Sequence, residues 1–279
     1  MTRLFGVIGD PIDHSCSPAK QTAALQALRV DACYTAIEVP RRFLRPMLRA
    51  LVLAGVEGLN VTVPLKEAVV PLLDRIDPMA RAIGAVNTIV VQRRRTIGYN
   101  TDGLGLRLAL RELGWRPRAA RAVILGAGGA ARAAAWELSR ASGSCVAIAN
   151  RHPARARALV RWLSAMRPRA CVCAVPLHRL PLAEADVLIN ATTVGLRPGD
   201  GGLVDPRQLH RGLLVYDLIA HRDTPLVQAA RRRGCVAANG RNMLLYQGAE
   251  SLRLWLRRRP PLQAMRRALT QALARPQSS

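Results

Sequence analysis

Residues 122–138 read AVILGAGGAARAAAWEL: a short apolar run, a glycine-rich turn and an alanine-rich helical stretch, in that order. No other segment limits the fold as tightly. A strand that ends in Gly126-x-Gly128-x-x-Ala131 and passes at once into a helix has the form of a dinucleotide-binding βα unit. Gly126 permits the tight turn, Gly128 lets a pyrophosphate approach the backbone, and Ala131 keeps helix and strand close. The helix start adds amide donors and a positive dipole end. Gly126, Ala127, Gly128, Gly129 and Ala130 are therefore the candidate phosphate-binding residues. An ordinary glycine-rich turn would use the same residues, but the strand before it and the helix after it favour a nucleotide.

The next strand selects the cofactor. A NAD site usually ends that strand with Asp or Glu, which holds the ribose hydroxyls. Here CVAIANRHPARA ends it with Asn150, followed by Arg151 and Arg155. No carboxylate stands there to repel a 2′-phosphate, and two guanidiniums are placed to bind one, so the expected cofactor is NADP. In an arginine-rich chain the missing acid carries more of this argument than the two arginines.

Around this unit the pattern is α/β. LFGVIG (4–9), CYTAIEV (33–39), GLNVTV (58–63) and TIVVQ (88–92) read as strands, with helical stretches at 18–29, 41–54 and 66–73 between them. Such alternation argues for a parallel or mixed sheet. A helical stretch at 103–113 leads away from it, and further strands follow at 145–150, 171–175, 186–192 and 213–218. Residues 241–275 read as helical, with an apolar face that has to pack on something, and the tail 275–279 is expected to fray. With 279 residues and half of them hydrophobic, the chain is long enough for two domains. Aromatics make up only 4%, so Leu, Val, Ile and Ala must fill the cores.

A formal charge of +24 raises the question of nucleic acid. The arginines, however, are scattered through stretches that read as amphipathic helix, such as RAIGAVNTIVVQRRR and LRLWLRRRPPLQAMRRAL, with no aromatic platform among them. A solvated basic surface that attracts anionic ligands is the better reading, with no specific nucleic-acid site. None of the six cysteines forms a C-x-x-C pair, and no histidine cluster accompanies them. They are expected to be cytosolic thiols, neither disulfides nor metal ligands. The N-terminal MTRLFGVIGD passes directly into a strand without a signal peptide, and no uncharged apolar run is long enough to cross a membrane. These points predict a cytoplasmic protein.

Of the 42 Lys plus Arg, only Lys20 and Lys66 are lysines. Arg holds its proton near neutral pH, whereas Lys can be tuned to give one up, which marks Lys66 in NVTVPLKEAVV as a candidate proton donor. Other polar clusters fall at strand ends: Ser15 and Ser17 in GDPIDHSCSP, Asn60 and Thr62 before Lys66, Asn87 in IGAVNT, and Asn100 and Asp102 in GYNTDGLG. Singly, each fits turn chemistry. Together, in one α/β unit, they suggest a ligand crevice.

In order along the chain, HSCSP, NVTVPLK, IGAVNT, NTDGLG, GAGGAARA, NR, INATTVGL, TPL and NMLLYQGAE closely resemble the shikimate dehydrogenase family. The resemblance implies an N-terminal α/β substrate domain (1–104), a Rossmann-like NADP-binding domain (105–238) and C-terminal helices returning to the first domain (239–279). It implies reversible hydride transfer between NADPH and 3-dehydroshikimate, a small ring carboxylic acid, in aromatic amino acid biosynthesis, by a monomer or homodimer without a metal. Lys66 and Asp102 would be the catalytic pair. Ser15 and Ser17 would hold the substrate carboxylate, and Thr62, Asn87 and Gln247 the ring hydroxyls, with Asn60 in support. Thr192, Leu218 and Gly240 would lie near the nicotinamide.

The chain departs from the family at three points. Ala220 stands where the family commonly has a tyrosine that reaches the substrate carboxylate. The stretch from Asp217 to Thr224 is one residue short, and Lys20 and Gln21 replace a frequent Met-His. A quinate/shikimate dehydrogenase, or a related enzyme for another cyclic hydroxy acid, is the alternative in the same reaction class. A catalytically idle basic binding protein is the alternative outside it, and retention of both Lys66 and Asp102 argues against that.

Overall fold

A computed structural model describes residues 2–13, 15–116, 119–197 and 199–274; the tail 275–279 lies outside the described residues. The chain forms two compact units, one made of Met1–Thr101 with Leu245–Ser279 and the other of Asp102–Leu244. Neither junction coincides with an end of the expected spans. The first falls where Asp102 opens a helix that packs within the second unit, and the other falls inside a continuous helix.

Unit 1 runs β1 (Arg3–Gly9), α1 (Ser17–Ala27), β2 (Ala32–Glu38), α2 (Leu44–Leu53), β3 (Val56–Val61), α3 (Leu65–Ala68), β4 (Arg75–Ile76), α4 (Pro78–Ile83), β5 (Thr88–Gln92) and β6 (Arg95–Tyr99). The sheet order is β2-β1-β3-β5-β6-β4. β1 pairs in parallel with both β2 and β3, and its last five residues are buried. A strand covered on both faces needs such a continuous apolar run. β5 turns antiparallel to β3 and forms a hairpin with β6, so the sheet is mixed. Ile8, Leu44, Leu48, Leu59, Leu65 and Ile89 form the centre of the core.

The helical reading of RAIGAVNTIVVQRRR is wrong for most of its length. α4 stops at Gly84, which takes a left-handed φ of 72°, and the remainder is β5 and the hairpin turn. Arg93 and Arg94 form that two-residue turn at φ 51° and 60°. Two successive positive φ values give the turn twist that matches a hairpin, but Asn and Gly are the usual residues there.

Unit 2 runs α5 (Asp102–Glu112), β7 (Arg121–Leu125), α6 (Gly129–Leu138), β8 (Cys145–Ala149), α7 (Pro153–Met166), β9 (Cys171–Ala174), β10 (Val187–Asn190), β11 (Leu214–Asp217), α8 (Pro225–Arg232) and β12 (Val236–Ala238). Its six strands are all parallel, in the order β12-β11-β10-β7-β8-β9. Connection order reverses between β7 and β10, and ligands of open α/β sheets bind beyond the strand ends at such a point. Ala131, Ala133, Ala134 and Ala135 bury the near face of α6.

Cys145 and Cys171, expected to be thiols, form a disulfide between β8 and β9. They are direct register partners on neighbouring strands although 26 residues apart in sequence. Motif spacing does not reveal that proximity.

The boundary between units falls within α9 (Arg241–Leu256), after which α10 (Leu262–Ala274) packs on α1 inside unit 1. Trp255 anchors the end of α9. Its ring lies 5.2 Å from that of Phe5 and 6.1 Å from that of Tyr34, and its Nε1 donates to the Ile89 carbonyl at 2.9 Å. Among the described residues no helix is long and apolar enough to cross a membrane.

Candidate functional site

Unit 1 gathers three of the polar residues singled out above, Asn60, Asn87 and Gln247, into one buried network. Asn60 sits at the end of β3. Its Oδ1 accepts from the Tyr34 hydroxyl at 2.7 Å, and its Nδ2 donates to Ser251 Oγ at 2.9 Å. Thr88 links Ser251 at 2.7 Å to Asn87 Oδ1 at 3.0 Å. Asn87 Oδ1 also accepts from the Thr101 amide at 2.8 Å, while its Nδ2 donates to Thr101 Oγ1 at 3.0 Å and to Gln247 Oε1 at 3.4 Å. Thr101 Oγ1 donates onward to the Gln247 carbonyl at 3.0 Å. Asn60, Asn87 and Gln247 are therefore held by β2, β5, the end of β6 and α9 at once. Buried amides fixed on several sides are rigid, since each rotation would strand a polar atom.

Ser15 and Ser17 lead into α1, and Ser15 Oγ accepts from the Ser17 amide at 3.3 Å. Burial raises the Tyr34 hydroxyl well above its ordinary pKa, and the hydrogen bond with the Ser17 side chain opposes that shift. Tyr34 thus joins the serine loop to Asn60. Thr62 and Lys66 follow β3. The Thr62 amide donates to the Ile8 carbonyl at 2.9 Å, and the Lys66 carbonyl accepts from the Val86 amide at 2.9 Å. Lys66 is half-buried in α3. Asn100 Nδ2 donates to the Ala85 carbonyl at 2.9 Å, a turn-fixing contact. Asp102, buried, is the first residue of unit 2, directly after the Thr101 that Asn87 clamps.

Sequence reasoning missed Tyr34, Thr88, Thr101 and Ser251. Thr88 and Thr101 lie inside IGAVNT and NTDGLG, so attention to hydroxyls next to the amides would have found them. Ser251, within α9, carries no local signal.

Unit 2 has its own constellation at the β7/β10 switch point. Gly126 takes φ 115°, and a Cβ there would lie 2.6 Å from the Ala191 carbonyl oxygen, so only glycine fits. Gly128 caps α6 in an extended conformation, with Gly129 and Ala130 opening the helix. Asn150, after β8, donates to the His152 carbonyl at 3.1 Å. Arg151 and Arg155 are exposed, and among the described residues neither has an ion-pair partner.

Thr192 follows β10 and is clamped by Asn190, whose Oδ1 accepts from the Thr192 amide at 2.9 Å and from its hydroxyl at 2.7 Å. Asn190 Nδ2 in turn donates to Asp217 Oδ2 at 2.9 Å, which also accepts from Thr224 Oγ1 at 2.7 Å. Burial raises the Asp217 pKa, opposed by these donors, the Ile219 amide and the His221 charge. Leu218 and Gly240 are neighbours, since the Gly240 amide donates to the Ile219 carbonyl at 2.9 Å. Ala220 presents only a methyl group, and its carbonyl accepts from Arg241 Nε at 3.1 Å.

The chain matches three family descriptions: "Shikimate dehydrogenase substrate binding domain" over residues 7–89, "Shikimate / quinate 5-dehydrogenase" over 107–196, and "Shikimate 5'-dehydrogenase C-terminal domain" over 240–270. It is 42% identical to the shikimate dehydrogenase (NADP(+)) of Methanosarcina mazei, over 98% of this chain and 99% of that protein. A crystal structure of a shikimate dehydrogenase in complex with NADP+ superposes with a TM-score of 0.93 at 35% identity, covering 98% of this chain and 96% of that one. The Thermus thermophilus enzyme in complex with NADP(H) and shikimate gives 0.89 at 36% identity, covering 97% and 100%.

Proposed function

This chain belongs to the shikimate dehydrogenase family, and from that membership we propose how its residues divide the work. The reaction is the NADP-dependent, reversible reduction of 3-dehydroshikimate to shikimate. NADPH, when bound, supplies the hydride. The protein must hold the ring and move one proton.

Ser15 and Ser17 hold the ring carboxylate. Thr62, Asn87 and Gln247, with Asn60 in support, hold the ring hydroxyls. Lys66 gives its proton to the oxygen that becomes an alkoxide as hydride arrives at the carbonyl carbon, and Asp102 partners Lys66 in that transfer. In the reverse direction the same pair accepts the hydroxyl proton. The observation that carries this reading is the buried network that fixes Asn60, Asn87 and Gln247 through mutual and neighbouring hydrogen bonds. Preset donors and acceptors cost little to organise when the ring arrives.

The residues of unit 2 suit NADP. Residues 126–130 offer amides at a helix start, the position after β8 is Asn150 and not an acid, and Arg151 and Arg155 are exposed cations available to a 2′-phosphate. Thr192, Leu218 and Gly240 border the nicotinamide. The enzyme works in the cytoplasm as a monomer or homodimer, and its arginines attract anionic substrate and cofactor without forming a nucleic-acid site.

Ala220 favours a second reading within the same chemistry. Without a tyrosine hydroxyl at that position, quinate or another ring acid could compete with shikimate. The test is NADP+ reduction by purified protein with shikimate, quinate and close analogues, followed by NADPH absorbance. Turnover of shikimate supports the main reading, and turnover of quinate alone supports the second. NADPH binding without turnover of any ring acid would identify an idle scaffold.

A further inference from the structure

Lys20 is wholly buried in α1, three residues after Ser17 and hence on the same face of the helix. Among the described residues of unit 1 it is the only buried side chain with a formal charge. Keeping an ammonium out of water is costly, so a chain that could hold an apolar residue there carries the lysine for a reason. Room is made for it from α9. A Cβ on Gly248 would lie 2.5 Å from Lys20 Cε and 2.9 Å from Nζ, so the ammonium rests against the backbone immediately after Gln247. The compact ammonium fits this niche in a chain whose other basic side chains, Lys66 apart, are arginines.

Two further observations turn this charge toward a ligand. Gln21, also wholly buried, donates to the Gly248 carbonyl at 2.9 Å but leaves its own Oε1 without a donor. The Gln21–Gly248 bond ties α1 to α9 beside the Lys20 ammonium and next to Gln247. Burial pushes the Cys16 thiol up, and the Lys20 charge pulls it down. The field of Lys20 thus reaches the residue between Ser15 and Ser17.

We propose that Lys20 is a specificity-determining residue of the substrate unit. Buried beneath the Ser15–Ser17 seat, it supplies the positive potential that holds a ring carboxylate there and discriminates against uncharged rings. With no exposed surface, Lys20 acts through the seat without touching the substrate. In a low-dielectric surrounding its charge is screened little by salt and acts over several ångströms. The inference rests on the proposed assignment of Ser15 and Ser17 to a carboxylate.

The test uses Lys20→Met and Lys20→Gln, with shikimate and its uncharged methyl ester as probes, in steady-state kinetics with NADP+. The variants should raise the KM for shikimate about tenfold, with kcat at saturation and the KM for NADP+ within about threefold of the parent. The KM for the ester should not move. An unchanged KM for shikimate, or equal rises for acid and ester, would overturn the proposal, because a purely structural lysine would affect both ligands alike. Equilibrium binding of shikimate reads the same effect without turnover. A parent that binds shikimate but does not oxidise it would therefore sink the functional reading and leave this one decided by binding. Should neither variant fold, the parent decides: a preference for acid over ester below about fivefold would refute a buried cation at the seat.

Discussion

Replacing Tyr34 with phenylalanine removes a single oxygen from the unit 1 network and leaves the ring against Trp255. That oxygen donates to Asn60 Oδ1 at 2.7 Å and shares a hydrogen bond with the Ser17 side chain. A neutral buried hydrogen bond contributes about 1 kcal/mol, and stranding the Asn60 acceptor costs a further 1–2 kcal/mol or so. The expected loss is thus about 2–3 kcal/mol. Thermal unfolding should shift down by about 4 °C if the whole chain unfolds together, and by about 9 °C if unit 1 unfolds alone. Circular dichroism or calorimetry reads that shift. Kinetics supply a second readout, because Ser17 loses one of its restraints. The KM for shikimate should rise severalfold and the KM for NADP+ should stay constant. A midpoint within about 1 °C of the parent together with an unchanged KM would refute the claim that this network holds the substrate groups in place.

Lys66→Ala should lower turnover by about 10²–10⁴-fold while leaving NADPH binding nearly intact, and turnover within a few-fold of the parent would remove Lys66 from the proton-transfer role. Arg151→Ala should weaken NADPH by roughly 1.5–3 kcal/mol at most, with exposure reducing the effect, and should leave NADH nearly unaffected; equal rises in both KM values would return Arg151 to the solvated surface. Ala220→Tyr should lower the KM for shikimate by about ten- to a hundredfold, as one hydrogen bond to a charged group is gained. A parent KM already as low as that of a tyrosine-bearing enzyme, and unchanged by the substitution, would show that another group fills the gap.

The sequence is most legible where the backbone leaves little choice. The turn at 126–131 could be read because a left-handed Gly126 and a helix of buried alanines leave few alternatives. The β5–β6 hairpin could not, because its turn residues are Arg93 and Arg94, which local propensity does not place at positive φ. Cys145 and Cys171 became partners only through strand register. The boundary inside α9 has no mark, since the helical pattern runs across it unbroken. Of the site, the amides and serines stood out through motifs at strand ends. Tyr34 and Ser251 did not, because a hydroxyl becomes a network member only through neighbours that are distant in sequence. Lys20 stood out as a lysine, but its burial depends on a gap in α9 that no local reading of α1 contains.

The discontinuity of unit 1 bears on how the protein is made. A chain emerging from the ribosome N-terminus first releases all six strands of unit 1 before any of unit 2, yet its last helices come at the very end. Until α9 appears, the site of Trp255 beside Phe5 is empty, and Asn60 and Thr88 lack Ser251. Unit 2 is contiguous and can close as soon as its own residues are out, because domains generally fold as units during synthesis. The first-made part of the protein is therefore the last to be finished, and it waits through the synthesis of the whole nucleotide unit with an open apolar face. A chain truncated at Leu244 and released from the ribosome should carry a folded unit 2 and a protease-sensitive N-terminal segment.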